Sequence, residues 1–457
     1  MPGHKMGRLI PEEFLNDIPA IDVTEIPGTD NLHDPKGAIM HAQQLAAQAF
    51  GADKTFFLVN GSTCGIHSMI MAICRPGDKL IISRDCHKSV FIGIALTGAI
   101  PAYIVPEVDR NFGICNVITP EQVEEAIKKN PDAVGVLITR PTYYGLCCDI
   151  KAIADIVHFY GKILAVDEAH GAHLRFNPRL PVCAMDAGAD ICVQSAHKTL
   201  PALTQTAYLH VKGRRVDIGR LSYYLSVLQT SSPSYILMAS LDIARACMQE
   251  CGSRLLDNTL DYAELLKKRV SGITGMEMLW KDEEDLCQQD KTRIVINVAD
   301  VTGTGFEAER ILRDEFNIQI EMSDINNIVM ISTVADRYED FLKLGDGLEY
   351  LADCNRENVN IKTISDNSDI YSGFINIVQE QVIEYSKAVN SKGIYIKLEK
   401  AADRICKNLI IPYPPGIPLV CPGERLNKNT IEYIYNVKNA GGVIMGITDE
   451  MEVNVVE

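Results

Sequence analysis

The chain has no concentration of basic residues. Its 457 residues carry 44 Lys and Arg against 60 Asp and Glu, a formal net charge of −16, and no Lys/Arg run offsets that balance, which removes the electrostatic footprint of a nucleic-acid binder. The opening MPGHKMGRLIPEE has no apolar h-region, so no secretory signal is expected. A membrane span is missing too. The longest uncharged stretch, Ser89 to Pro106, is broken by Gly93, Gly98 and Pro101 and reads as a helix followed by a strand. Fourteen cysteines occur without one CxxC pair, and Cys247 and Cys251 stand at helical spacing. That scatter fits reduced thiols in a cytoplasmic protein better than a disulfide scaffold or a zinc site. Repeats, heptads and low-complexity tracts are also absent.

What is present is a large core. Forty-seven per cent of the residues are hydrophobic, and the length suffices for two or three domains of about 150 residues each. From about residue 50 to 211, apolar runs alternate with segments of helical period. The runs are 56–59, 79–83, 102–105, 133–139, 162–168, 189–195 and 206–211, and the helical stretches include 121–129 and 150–161. This alternation predicts an α/β domain with a mainly parallel seven-stranded sheet covered by helices on both faces. Long helices are expected over 233–272. Beyond them, 292–298, a helix near 306–316, 318–324 and 327–333 predict a smaller α+β domain. The expected organisation is an N-terminal arm (1–35), a large domain (36–287) and a C-terminal domain (288–457) with a linker near 354–369. Five prolines in NLIIPYPPGIPLVCPGE (408–424) forbid a regular helix there.

The chemistry concentrates at VDEAHGAH (166–173) and VQSAHKT (193–199). Asp167 falls at the end of one apolar run, and Ser195, His197 and Lys198 at the end of the next. In an open parallel sheet such ends line the ligand crevice. An acid facing a lysine there suits either a buried ion pair or the seat of pyridoxal 5′-phosphate, where the acid keeps a ring nitrogen protonated and the lysine forms an imine. In NGSTCG (60–65), Gly61, Ser62 and Thr63 open a helix. The loop is neither a Walker motif nor GxGxxG, and it fits a phosphate seat or ordinary helix caps. His87, after the run 79–83, is placed to stack on a ring or to cap a helix.

Taken together, PGHK (2–5), TDNLHDPKG (29–37), NGST (60–63), HKS (87–89), PTYYG (141–145), DEAHGAH (167–173), SAHKTLPALTQ (195–205), QTSSPSY (229–235) and YPPGIPLVCPGE (413–424) resemble, nearly end to end, the short-form ornithine/lysine/arginine decarboxylases. These are pyridoxal-phosphate enzymes of fold type I. The resemblance implies that Lys198 carries the cofactor, Asp167 holds its ring nitrogen and His87 stacks on the ring. It places Gly61, Ser62, Thr63, Ser195 and His197 around the phosphate, with His170 beside the cofactor. Thr230 and Ser231 correspond to a stretch that reaches a partner subunit's phosphate. Glu424 corresponds to the acid that meets the substrate's distal cation, and Lys198 or His197 to the proton donor at Cα. The implied reaction is decarboxylation of a basic amino acid, arginine before lysine or ornithine, to a polyamine precursor by a homodimer or larger homo-oligomer. The rival readings are an aminotransferase or lyase of the same fold, with Arg404 or Arg425 for the substrate carboxylate, and a catalytically silent binding protein.

Overall fold

A computed structural model describes residues 1–281, 287–356, 379–413 and 416–457, without the side chains of 354–356. The strands of the large domain are β1 (Lys54–Leu58), β2 (Lys79–Ser83), β3 (Ile100–Ile104), β4 (Gly135–Thr139), β5 (Ile163–Asp167), β6 (Ile191–Ser195) and β7 (Ala207–Val211). They form one sheet in the order β1-β7-β6-β5-β4-β2-β3. Strands β6, β5, β4, β2 and β3 run parallel, and β7 is antiparallel to both of its neighbours. The expected fold class is what the chain adopts.

The pleat explains why these strands read as unbroken apolar runs. Ile81, Val136, Val166 and Cys192 face one apolar cluster, while Leu80, Ile82, Leu137, Ala165 and Val193 face another. A sheet covered on both faces needs apolar residues at both parities. The covering helices start where local chemistry supplies donors and acceptors. Pro120–Lys129, for example, begins with a full capping box between Thr119 and Gln122.

Residues 233–272, read as several helices, form a single 36-residue helix, Tyr235–Val270, capped by Ser234 and ending in Lys267, Lys268 and Arg269. Those cations complement its negative end. Its first half packs on the large domain through Met238, Leu241 and Met248. Its last turns, with Ala263, Leu266 and Val270, enter a second core. There Glu277–Met278, Arg293–Asn297, Asn327–Ile331 and Met322–Ser323 make an antiparallel four-stranded sheet. The small sheet thus takes its first strand from before residue 288, the expected start of the C-terminal domain. Of the run 318–324 only Met322–Ser323 pairs. Residues 354–356, expected as linker, end the helix Tyr338–Arg356; the rest of that expected linker lies outside the described residues. A further cluster joins the antiparallel strands Gly393–Lys397 and Glu452–Val456 to the helix Lys428–Asn439.

Candidate active site

Asp167 ends β5 and Ser195 ends β6. The strands are parallel, with Asp167 opposite Val193, so both ends open at one edge of the sheet. The helical turn Ala196–Thr199 then carries Lys198 to this edge. Lys198 Nζ lies 3.0 Å from His170 Nε2 and 6.0 Å from the centre of the Tyr143 ring. The rings of Tyr143 and His170 are 4.9 Å apart. On the other side of His170, Arg293 donates from a terminal nitrogen to Nδ1 at 2.8 Å.

Sequence reasoning missed Arg293. It is 1% exposed and heads the second strand of the small sheet, so that sheet delivers a side chain into the large domain's crevice. Gly145 of PTYYG makes room for it: a Cβ there would sit 2.6 Å from Arg293 Cβ, and the backbone has φ +82°. The available signal was a charged residue at the head of the otherwise apolar run RIVIN.

Burial dominates the electrostatics. The Asp167 carboxyl, 3% exposed, is pushed up to about 6 by desolvation, with Lys198 pulling the other way. Desolvation lowers the Lys198 ammonium; Asp167 and Glu321 oppose this, and Arg293 adds to it. His170 is driven well below the usual imidazole range, first by burial and then by Lys198 and Arg293. His87 is driven down to about 3 by burial, then by Lys198.

His87 caps the helix Lys88–Thr97, with Nδ1 close to the Ser89 amide and hydroxyl. Gly416 of the proline-rich segment accepts the Lys88 amide at 3.1 Å, laying that segment beside His87; Pro414 and Pro415 are outside the described residues. The N-terminal PGHK packs behind the lysine turn. The Gly3 amide donates to the His197 carbonyl at 3.2 Å, and Lys5 reaches the Ile331 carbonyl at 2.9 Å. The His197 ring contacts the Thr206 carbonyl through Nδ1 at 2.8 Å.

The helix Gly61–Ile73 begins with no side-chain cap at Asn60. Its first amides therefore lack intrahelical or capping partners. Ser195 Oγ donates to Ser62 Oγ at 2.8 Å, and Thr63 is exposed on the same first turn. Gly61, at φ +74°, donates its amide to the Gln205 carbonyl. The exposed Thr230 and Ser231 lie at the same rim, where the Thr230 amide approaches Asn60 Oδ1 at 3.4 Å. Free amides, a helix dipole and two hydroxyls make a dianion seat. At the other end Asp167 is a buried acid whose side chain, among the described residues, accepts one hydrogen bond, from the Ala169 amide, which leaves it able to meet a ring cation. The donor set therefore fits pyridoxal phosphate.

Two expectations stand apart from this cluster. Glu424 is fully buried. Its Oε2 accepts the Cys421 amide at 2.7 Å and lies 3.4 Å from Arg84, so within one chain it is the counter-ion of Arg84. Arg404 donates to the Val456 carbonyl, and Arg425 binds Glu380 and the Asp403 carbonyl. Both arginines are engaged within the C-terminal module.

Comparison with known proteins agrees with this geometry. Residues 1–293 match the major domain of the Orn/Lys/Arg decarboxylase family, and 366–453 match its C-terminal domain. An arginine decarboxylase of Bacillus subtilis is 38% identical over 98% of this chain and 92% of its own length. The structure of lysine decarboxylase A from Pseudomonas aeruginosa superposes with a TM-score of 0.81 at 20% identity, over 96% of this chain and 74% of that one. An alanine–glyoxylate aminotransferase from Nostoc gives 0.60 at 17% identity, over 75% and 92%. The last two likenesses establish the fold, that of the type I pyridoxal-phosphate enzymes. The chain belongs to the Orn/Lys/Arg decarboxylase family and is an amino-acid decarboxylase.

Proposed function

We propose that the substrate is a basic amino acid, arginine first, and that the chain removes its α-carboxylate as CO2 using pyridoxal 5′-phosphate. The observation that carries this reading is the meeting of the buried Asp167 and the half-buried Lys198 at adjoining strand ends, beside an uncapped helix N-terminus. Several relatives bearing the name arginine decarboxylase, from Bacillus species, support the choice of substrate. When bound, the cofactor supplies a carbonyl that joins an amine and a conjugated ring that accepts the electron pair left by the departing carboxylate.

In this reading the first amides of helix Gly61–Ile73, with Ser62, Thr63 and Ser195, hold the phosphate. Asp167 would hold the ring nitrogen by its negative charge and His87 would cover the ring. Lys198 Nζ, with its proton affinity lowered, would be the amine that holds the cofactor through its carbonyl until the substrate's α-amine replaces it. It would then hold the proton given up by the substrate's α-amine for return to Cα; His197, the alternative, gives its Nδ1–H to the Thr206 carbonyl and could donate from Nε2 only as an imidazolium. Glu424 acts through Arg84, fastening the proline-rich segment beside His87. The working form is a homodimer with Thr230 and Ser231 facing the second copy. No disulfide joins the described cysteines, in keeping with a cytoplasmic protein making polyamine precursors.

The test is to add arginine, lysine and ornithine in turn to the purified protein with pyridoxal phosphate, following CO2 and identifying the amine. Agmatine with stoichiometric CO2 is expected. Keto-acid formation in place of CO2 would sink the proposal.

A further inference from the structure

The contacts around His170 obey a donor–acceptor parity. A neutral imidazole has one N–H donor and one acceptor nitrogen, and a guanidinium can only donate. Arg293 lies 2.8 Å from Nδ1, so Nδ1 is the acceptor and the ring proton sits on Nε2. That Nε2–H points at Lys198 Nζ, 3.0 Å away. Nζ must then accept, which only the free amine can do; an ammonium would set two donors against each other. The chain Arg293 → His170 → Lys198 is satisfied in one protonation state alone, with Lys198 uncharged.

We infer that Arg293 is a positioning residue that fixes the tautomer of His170 and thereby holds Lys198 as the free base needed to attack a carbonyl. Two further features bind the guanidinium to this task. Its side chain is buried, and among the described residues its Nε and second terminal nitrogen have no hydrogen-bond partner, so the guanidinium's hydrogen bond there goes to His170. Asp290, the carboxylate that most favours its charged form, gives its Oδ1 to the Thr292 hydroxyl at 2.6 Å and to His173 at 3.2 Å. The groups facing Lys198 are Asp167 from β5, Glu321 and Arg293 from the small sheet's side, and Tyr143 and His170 from the intervening loops. His87 and His197 also face His170. Asp167 and Glu321 favour the ammonium; burial, Arg293 and the His170 donor oppose them.

The inference rests on the proposed function only in taking Lys198 as the reacting amine. It is tested on the full chain without added cofactor or substrate, so a wrong substrate assignment would leave it standing. In NMR of protein labelled with ¹⁵N-histidine, with His170→Gln to assign the resonance, His170 is expected as the neutral Nε2–H tautomer at neutral pH. An Nδ1–H tautomer or an imidazolium in the wild type would overturn the inference before any variant is made. Competitive acetylation by acetic anhydride, read by mass spectrometry against exposed lysines, follows the free base. Arg293→Met and His170→Gln should each cut labelling of Lys198 at neutral pH by about tenfold. The double variant should be no worse than either single one, and Arg293→Lys should recover most of the loss. Multiplicative losses in the double variant would mean that Arg293 acts as a bare charge, and would overturn the relay.

Discussion

Asp167 and Glu168 are chain neighbours at one strand end, 3% and 0% exposed, and burial raises both carboxyls. Their surroundings differ completely. The pleat sends them to opposite faces. Glu168 enters a closed pocket where it accepts the Ala184 amide at 2.9 Å, the Gln194 side-chain amide at 2.7 Å and the Cys192 thiol at 3.5 Å, with Arg140 3.6 Å away. Asp167 accepts one amide, from Ala169, and otherwise faces the crevice that Lys198 enters. Burial by itself does not separate a structural acid from a working one. The separation lies in whether the chain fills the acid's hydrogen-bonding capacity, because an unfilled buried acceptor is costly and persists where a ligand completes it.

The comparison breaks if the two faces prove interchangeable. The largest expected effect is on the crevice side. Lys198→Ala should cost at least about a thousandfold in decarboxylation, since it removes the amine proposed as the nucleophile, while the far-UV circular dichroism stays unchanged. Retained activity would end the assignment. On the closed side, Glu168→Gln leaves Arg140 buried without a counter-ion, although Arg140 keeps its bonds to the Cys148 and Val182 carbonyls. Urea unfolding should then show a loss of about 3–5 kcal/mol, with KM unchanged for the folded fraction. A raised KM at unchanged stability would place Glu168 in the site after all.

The same contrast separates what was legible in the sequence from what was not. The large domain's strands were readable because apolar runs of five or so residues between helical periods have one economical arrangement; Lys79–Ser83 matches to the residue. Asp167 and Lys198 were readable because strand ends in such a sheet share an edge. Residues 233–272, expected as long helices, form the single helix Tyr235–Val270 with Gly252 in its interior. In the structure that glycine packs against Phe176 and Met248, and tertiary contact overrides its poor helix propensity. The run 318–324 gave only a two-residue strand because Asp324 turns the chain by accepting the Asn326 and Asn327 amides. Arg293 and Arg84 were invisible as partners. Their counterparts, His170 and Glu424, lie 123 and 340 residues away, and no local pattern encodes such pairings.

Glu424 sharpens the comparison at intermediate size, since it is buried like Glu168 yet belongs to a motif expected at the substrate. Arg84 keeps two carbonyl acceptors, Pro418 at 2.7 Å and Leu419 at 3.1 Å, as Arg140 does. Among the described residues, however, Glu424 accepts from the Cys421 amide beside Arg84 where Glu168 accepts from three donors beside Arg140, so Glu424→Gln should cost less than Glu168→Gln. About 2–3 kcal/mol of stability is expected to go, with little change in KM for arginine. A raised KM with stability intact would put Glu424 at the distal cation instead.

The smallest expected effect is a gain, and its sign follows from linkage. In the unfolded chain the Asp167 carboxyl ionises near 3.8, whereas in the fold it holds its proton to about 6. Between those values the folded state binds more protons, so stability falls as pH rises through the interval. The carboxyl's contribution is fully present below about pH 4 and lost by about pH 6, an interval worth on the order of 3 kcal/mol. Asn at this position keeps an acceptor for the Ala169 amide without the charge, but its own amide is desolvated there. Asp167→Asn should therefore stabilise the cofactor-free chain by about 1–2 kcal/mol above pH 6, and the gain should vanish towards pH 4. Calorimetric melting across that range reads it directly. A flat pH response would mean that Asp167 is as well satisfied as Glu168, and the distinction between the two faces would fall.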